Sequence, residues 1–185
     1  MMTEQKIANG GAEINDSISF AALPENIIVV KITGRGSFHN SMELRRLADA
    51  LLARSEQGAK PRYILDLNDC VTMDSTFMGV LASIGLRQLK QTSEKLAVVN
   101  ANEQNVRLLG TLGLSQFIVV REATREQADL SEDDFRCLIK EDVSRRDRII
   151  HMIEAHRELC DADSSNNIRF ESVLKYLEDS LREEK

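Results

Sequence analysis

The chain has 185 residues, 42% of them hydrophobic, which is enough to bury one good core and leave about a third of the length for an appended element. A formal net charge of −6 and a pI near 5.2 exclude the basic face that a phosphate-backbone binder needs, so neither nucleic acid nor an anionic membrane is expected as a partner. With no Trp and 4% aromatic residues, stacking platforms for single strands are missing as well.

Residues 1–14 open on the polar run Met1-Met2-Thr3-Glu4-Gln5-Lys6 and read as a flexible N-terminus without the apolar segment of a secretion signal. No later apolar run approaches the roughly 20 residues that span a bilayer, so a soluble, cytoplasmic protein is expected. Cys70, Cys137 and Cys160, odd in number and irregular in spacing, suit reduced thiols better than a disulfide framework.

Ser17 to Leu23 and Asn26 to Thr33 read as two strands, and Pro24-Glu25-Asn26 supplies the turn of a hairpin. Gly34-Arg35-Gly36 breaks the second strand. Asn40 with Glu43 suggests a capping box for a helix whose apolar face is Leu44, Leu47, Ala48 and Leu51. Tyr63 to Leu67 is a short buried strand. Asp74 or Ser75 can cap the next helix, with Met78, Leu81, Ala82, Gly85 and Leu89 at helical spacing. Leu96 to Val99 is a strand, Asn102 to Leu112 a helix ending at a left-handed Gly113, and Phe117 to Val120 the last strand. This order predicts an α/β fold, a mixed β-sheet with helices packed on it, over residues 15–121. Residues 122–185 become densely charged but keep helical periodicity. Ile149, Ile153, His156 and Cys160 share one face, and Val173, Leu174, Leu177 and Leu181 another, with the polar turn Asp161 to Asn167 between them. An α-helical hairpin extension is the expectation.

The most informative stretch is Leu65-Asp66-Leu67-Asn68-Asp69-Cys70-Val71-Thr72-Met73-Asp74-Ser75-Thr76-Phe77-Met78-Gly79-Val80-Leu81. It resembles the signature of the STAS domain family, the anti-sigma-factor antagonists and their relatives, in which a strand, a short loop and an Asp-Ser dipeptide open a helix. Ile32-Thr33-Gly34, Leu96 to Asn100 and Val106 to Leu114 fall where that family has its corresponding strand, strand and helix. One departure is Phe77, which stands where antagonists commonly have Gly, while Gly79 is kept.

The resemblance implies a transcription-regulating, partner-switching protein of the bacterial cytoplasm that binds by protein–protein contact, without catalysis and without a cofactor. Ser75 is the implied phosphorylation site, with Thr76 a weaker alternative acceptor, and Asp74, Ser75, Thr76, Phe77 and Met78 form the implied partner-binding surface. The implied partners are an anti-sigma factor or serine-protein kinase, which docks when Ser75 is unmodified, and a phosphatase that restores docking. A phosphate adds about −1.5 to −2 charge, which a helix N-terminus tolerates, so modification should alter a surface rather than the fold. The plain alternative is that Ser75 only caps the helix, worth on the order of 1 kcal/mol.

A second reading is a constitutive STAS scaffold or transporter-associated module in which Ser75 is not phosphorylated and Phe77 makes a permanent apolar contact. A small-ligand sensor or enzyme is a third. Gly34-Arg35-Gly36 lacks the spacing and the Lys-Ser/Thr ending of a P-loop and reads as a strand-to-helix turn. His151, His156, Cys160 and Cys137 match no compact zinc pattern, so metal ligands are not expected. Asp161-Ala162-Asp163 starts like a calcium loop, but Asn166 replaces the glycine and Ser172 the bidentate Glu. Asp66 and Asp69, which could pass for paired acids, read as loop residues. The hairpin's apolar faces must be covered by the core, by a second copy in a homodimer, or by a partner.

Overall fold

The computed structural model describes residues 15–55, 58 and 60–184, so the expectation for residues 1–14 lies outside the described residues. Strands β1 (Ser17–Leu23) and β2 (Ile27–Gly36) form the expected antiparallel hairpin, and Glu25 and Asn26 turn the chain with φ near +60°. Helix α1 (Ser41–Arg54), β3 (Arg62–Asp66), β4 (Cys70–Met73), α2 (Ser75–Thr92), β5 (Leu96–Val99), α3 (Glu103–Thr111) and β6 (Ile118–Val120) follow. Next come a short α4 (Arg125–Ala128), β7 (Arg136–Cys137), α5 (Arg145–Ala162) and α6 (Asn166–Glu183).

The sheet runs β6-β5-β3-β2-β1-β7, with β4 paired to the far end of β2. Pairs β2–β3, β3–β5 and β5–β6 are parallel, joined by crossovers that run through helices. Strand alternation divides the core in two. Ile28, Val30, Ile32, Tyr63, Leu65, Leu96 and Val98 face α1, α2 and α3, while Val29, Ile64, Ala97 and Val99 face Ala123, Leu130 and Phe135 on the other side.

Four local expectations change. Gly34-Arg35-Gly36 is not a turn: it stays in β2, kinked between Gly34 and Arg35 where β4 joins, with Gly34 at φ +75°. The Asn40–Glu43 capping box does not form, because Asn40 turns its carboxamide back, accepting from Ser37 N at 2.8 Å and donating to Arg35 O at 2.9 Å. Strand β4 was not foreseen, being only four residues long with two of them at least partly exposed. The extension expected from residue 122 begins differently. Residues 123–135 cover the second face of the sheet and β7 adds to the edge of β1, so the hairpin starts only at Arg145.

That hairpin packs on its own chain, with α5 lying between α2 and α6. Leu159 and Phe170, at its closed end, belong to the main core. Asn166 donates to Leu112 O at 3.1 Å and to Leu159 O at 2.8 Å, which fastens that end to the loop after α3. At the open end, Ile149, Ile153 and Leu177 form a separate cluster within the hairpin. Val173, expected on the buried face of α6, is exposed.

Candidate functional site

The start of α2 is built by Asp74, which is its N-cap. One carboxylate oxygen accepts from Phe77 N at 2.9 Å and the other from Phe38 N at 2.8 Å, while Asp74 N donates to Gly36 O at 2.9 Å. One side chain thus caps the helix and holds the 37–40 loop, and the notion of Ser75 as the cap gives way: Ser75 is the first helical residue. Its Oγ is directed out of the sheet-facing core and lies 2.9 Å from His156 Nε2 of α5. His156 Nδ1 lies 2.7 Å from Met152 O, and since a carbonyl can only accept, Nδ1 carries a proton, which in the neutral ring leaves Nε2 to accept from the Ser75 hydroxyl. The imidazole is 4% exposed and its ring meets Phe170 edge-on at 4.9 Å.

The other candidate contact residues sit elsewhere than expected. Thr76, Phe77 and Met78 are 4%, 0% and 4% exposed, so with α5 in place they present no surface to a partner. The reason is the strand beneath. A Cβ on Gly36 would lie 2.7–2.9 Å from the Phe77 ring, so the glycine's missing side chain is the space the ring occupies. Phe77 is a core residue, and its difference from the glycine of antagonists is answered inside the fold rather than on the binding face.

Along α2, Ser75, Gly79 and Ser83 form a stripe one turn apart, and α5 covers all three. A Cβ on Gly79 would stand 2.1 Å from Ala155 O, so only glycine lets the two backbones come this close. Ser83 Oγ donates to Glu158 at 3.0 Å. A second polar clasp joins α5 to α1: Ser41 Oγ is 2.8 Å from His151 Nε2, and Arg45 pairs with Glu154 at 3.0 Å. Nothing in the sequence alone connected these residues, although the period-four repeat of small residues in α2 was the available signal.

Burial, helped by the charges of Arg45 and Arg46, lowers the pKa of His151 to about 4. Between that value and the ordinary 6.5, the unfolded chain binds a proton that the folded His151 refuses. Stability is therefore fully retained above about pH 6.5 and falls as the pH drops toward 4. Urea midpoints taken at about pH 7 and about pH 5 should fall further for the wild type than for His151→Gln, which has nothing to titrate there.

The residues weighed as metal ligands or acids are otherwise engaged. Cys137 is in β7, His151 and His156 meet serines, and among the described residues no group of three or more His, Cys, Asp or Glu side chains is placed to hold a metal ion. Asp66 accepts from Asn68 N and from Asn100 Nδ2, and Asp69 pairs with Lys31 at 3.1 Å. The Ser75–His156 pair has the spacing of a nucleophile and its base, with the imidazole buried against the Phe170 ring. No helix among the described residues is long and apolar enough to cross a membrane.

The family model described as the STAS domain matches residues 21–128, more than half of the chain. The chain belongs to the STAS domain family. Similar solved structures include the anti-sigma factor antagonist SpoIIAA in its unphosphorylated form, at 19% identity over 60% of this chain and 93% of that one, with a TM-score of 0.47. The Bacillus cell fate determinant SpoIIAA in the phosphorylated form matches at 19% identity over 60% and 95%, with a TM-score of 0.47. An anti-sigma factor antagonist from Mycobacterium paratuberculosis matches at 22% identity over 62% and 92%, with a TM-score of 0.48. At these identities the likeness is one of fold. No curated protein sequence matches the chain significantly. The STAS match ends at residue 128, so α5, which lies against Ser75, and α6, which packs on α5, are outside it.

Proposed function

We propose that the chain is a regulatory binding module of the anti-sigma-factor antagonist type. It docks a protein partner, an anti-sigma factor or serine-protein kinase, through the Asp74-Ser75 end of α2 when Ser75 is unmodified. Phosphorylation of Ser75 releases that partner, a phosphatase restores binding, and the chain itself catalyses nothing. The observation that carries this reading is the position of Ser75 as the first residue of the 18-residue helix α2. There a phosphate meets the positive end of the helix dipole, and the Oγ makes its hydrogen bond to the extension, not to the STAS core. New charge at this turn leaves the sheet and its packing untouched and changes what can lie against α2. Phosphopeptide mapping of the chain isolated from its own cells should find a single phosphate, on Ser75, and none in Ser75→Ala. A phosphate that persists in Ser75→Ala, or none in either protein, would sink the proposal.

The constitutive reading, a scaffold or transporter-associated module, is favoured by one observation: the Ser75 hydroxyl is already engaged by His156. On that reading Ser75→Asp leaves partner binding unchanged, whereas on the switch reading it abolishes binding.

A further inference from the structure

Helix α5 occupies the α2 face that a partner or a kinase would need. Three features make this occupancy reversible. The α2–α5 contact along the Ser75–Gly79–Ser83 stripe is polar or made of small groups, namely Ser75–His156, Gly79–Ala155 and Ser83–Glu158. The apolar cluster at the open end of the hairpin, Ile149, Ile153 and Leu177, is contained within the hairpin and stays buried if α5 and α6 move together. Beneath α5, Arg45 gives only Nη1 to Glu154 and leaves Nε and Nη2 buried with no hydrogen-bond partner, so the guanidinium that opening would free is only partly satisfied in the closed arrangement. The closed end, by contrast, is fastened to the core by Leu159, Phe170 and Asn166, and His156 rests on Phe170, so opening means that α5 parts from α2 up to His156 while this end stays in place.

We infer that α5 is an intramolecular competitor for the α2 face: its turns up to His156 part from α2 while the Leu159–Phe170 end stays fastened, and its closed position competes with both an external partner and a phosphate on Ser75. The conflict with phosphate follows from the 2.9 Å contact between the half-buried Ser75 Oγ and a buried imidazole nitrogen, which three added oxygens would have to displace. Phosphoserine also lacks the proton that Ser75 donates to His156. A modified chain therefore keeps α5 released while its phosphate itself bars the partner, and an unmodified one offers the face to the partner only for the fraction of time that the hairpin is open. Partner affinity is reduced in proportion to that fraction. The part of this inference that concerns phosphate rests on the proposed role of Ser75, while the cover itself does not.

Thiol accessibility tests the cover in the full chain without a kinase. With Cys137→Ser and Cys160→Ser removing the more accessible thiols, Ser75→Cys places a probe at the covered position, and the buried Cys70 serves as an internal control. The introduced thiol should react slowly with a maleimide. Gly79→Ala, whose Cβ collides with Ala155 O, should speed that reaction about tenfold or more, and so should Ala155→Leu, which acts from the extension and leaves every STAS core residue in place. Cys70 should stay unreactive in all of them. A fast reaction in the parent, or an unchanged rate in both variants, overturns the inference. In parallel, a chain carrying phosphoserine at position 75 should exchange the amides of residues 145–156 about tenfold faster than the unmodified chain, with β2 and β3 equally protected in both. Protected α5 amides in that chain overturn the conflict with phosphate. Absence of phosphate on Ser75 in cells would end the switch proposal but leave the accessibility result standing.

Discussion

Phe77→Ala is expected to lower the free energy of unfolding by about 3–5 kcal/mol, the usual cost of emptying a buried ring's site. Phe77 is 0% exposed and fills the space left by Gly36, so its surroundings are backbone and core side chains that cannot all close onto the void. The measurement is a urea melt followed by far-ultraviolet circular dichroism, with the expectation of a lower midpoint at an unchanged slope. The result separates two roles for the residue. A docking aromatic would cost partner affinity and little stability, and a change within about 0.5 kcal/mol would return Phe77 to the surface.

Leu159→Ala should cost about 2–5 kcal/mol, although the residue lies far outside the STAS match. Leu159 is 0% exposed and packs in the same cluster as Val80, Leu81 and Leu114, so the loss falls on the shared core. One cooperative transition shifted as a whole is the expected trace. If only a minor early transition moves, the hairpin melts independently, and the fastening assigned to its closed end is wrong. The pairing of this variant with Ala155→Leu is informative. The first should weaken the whole fold, whereas the second should release the open end of α5 and leave the sheet as stable as before.

Much of the α/β unit was legible because its signals are local. The apolar runs of β2, β3 and β5 marked strands that are buried on both faces of the sheet, Asn102 stands at the start of α3 where the helix was expected to begin, and Gly113 takes the left-handed conformation expected at a helix end. The misses are of another kind. Strands β4 and β7, four and two residues long, carry too little periodicity to register, and their partners β2 and β1 are distant in sequence. Phe77 was misplaced because its side chain faces inward only if α2 lies on Gly36, which no pattern within α2 reveals. His151 and His156 read as packing residues of a helix rather than as hydrogen-bonding partners, since their serines are 110 and 81 residues away.

The Asp74-Ser75 dipeptide, the helix it opens and the STAS family were therefore determined by the sequence by itself, because capping, periodicity and motif spacing act over a few residues. Tertiary structure alone decided that Asp74 holds the cap, that Thr76, Phe77 and Met78 belong to the core, and that α5 lies over Ser75. Those outcomes depend on close approaches between distant segments, permitted at Gly36 and Gly79 by the absence of a side chain, and such steric permission has no signature in either segment taken alone.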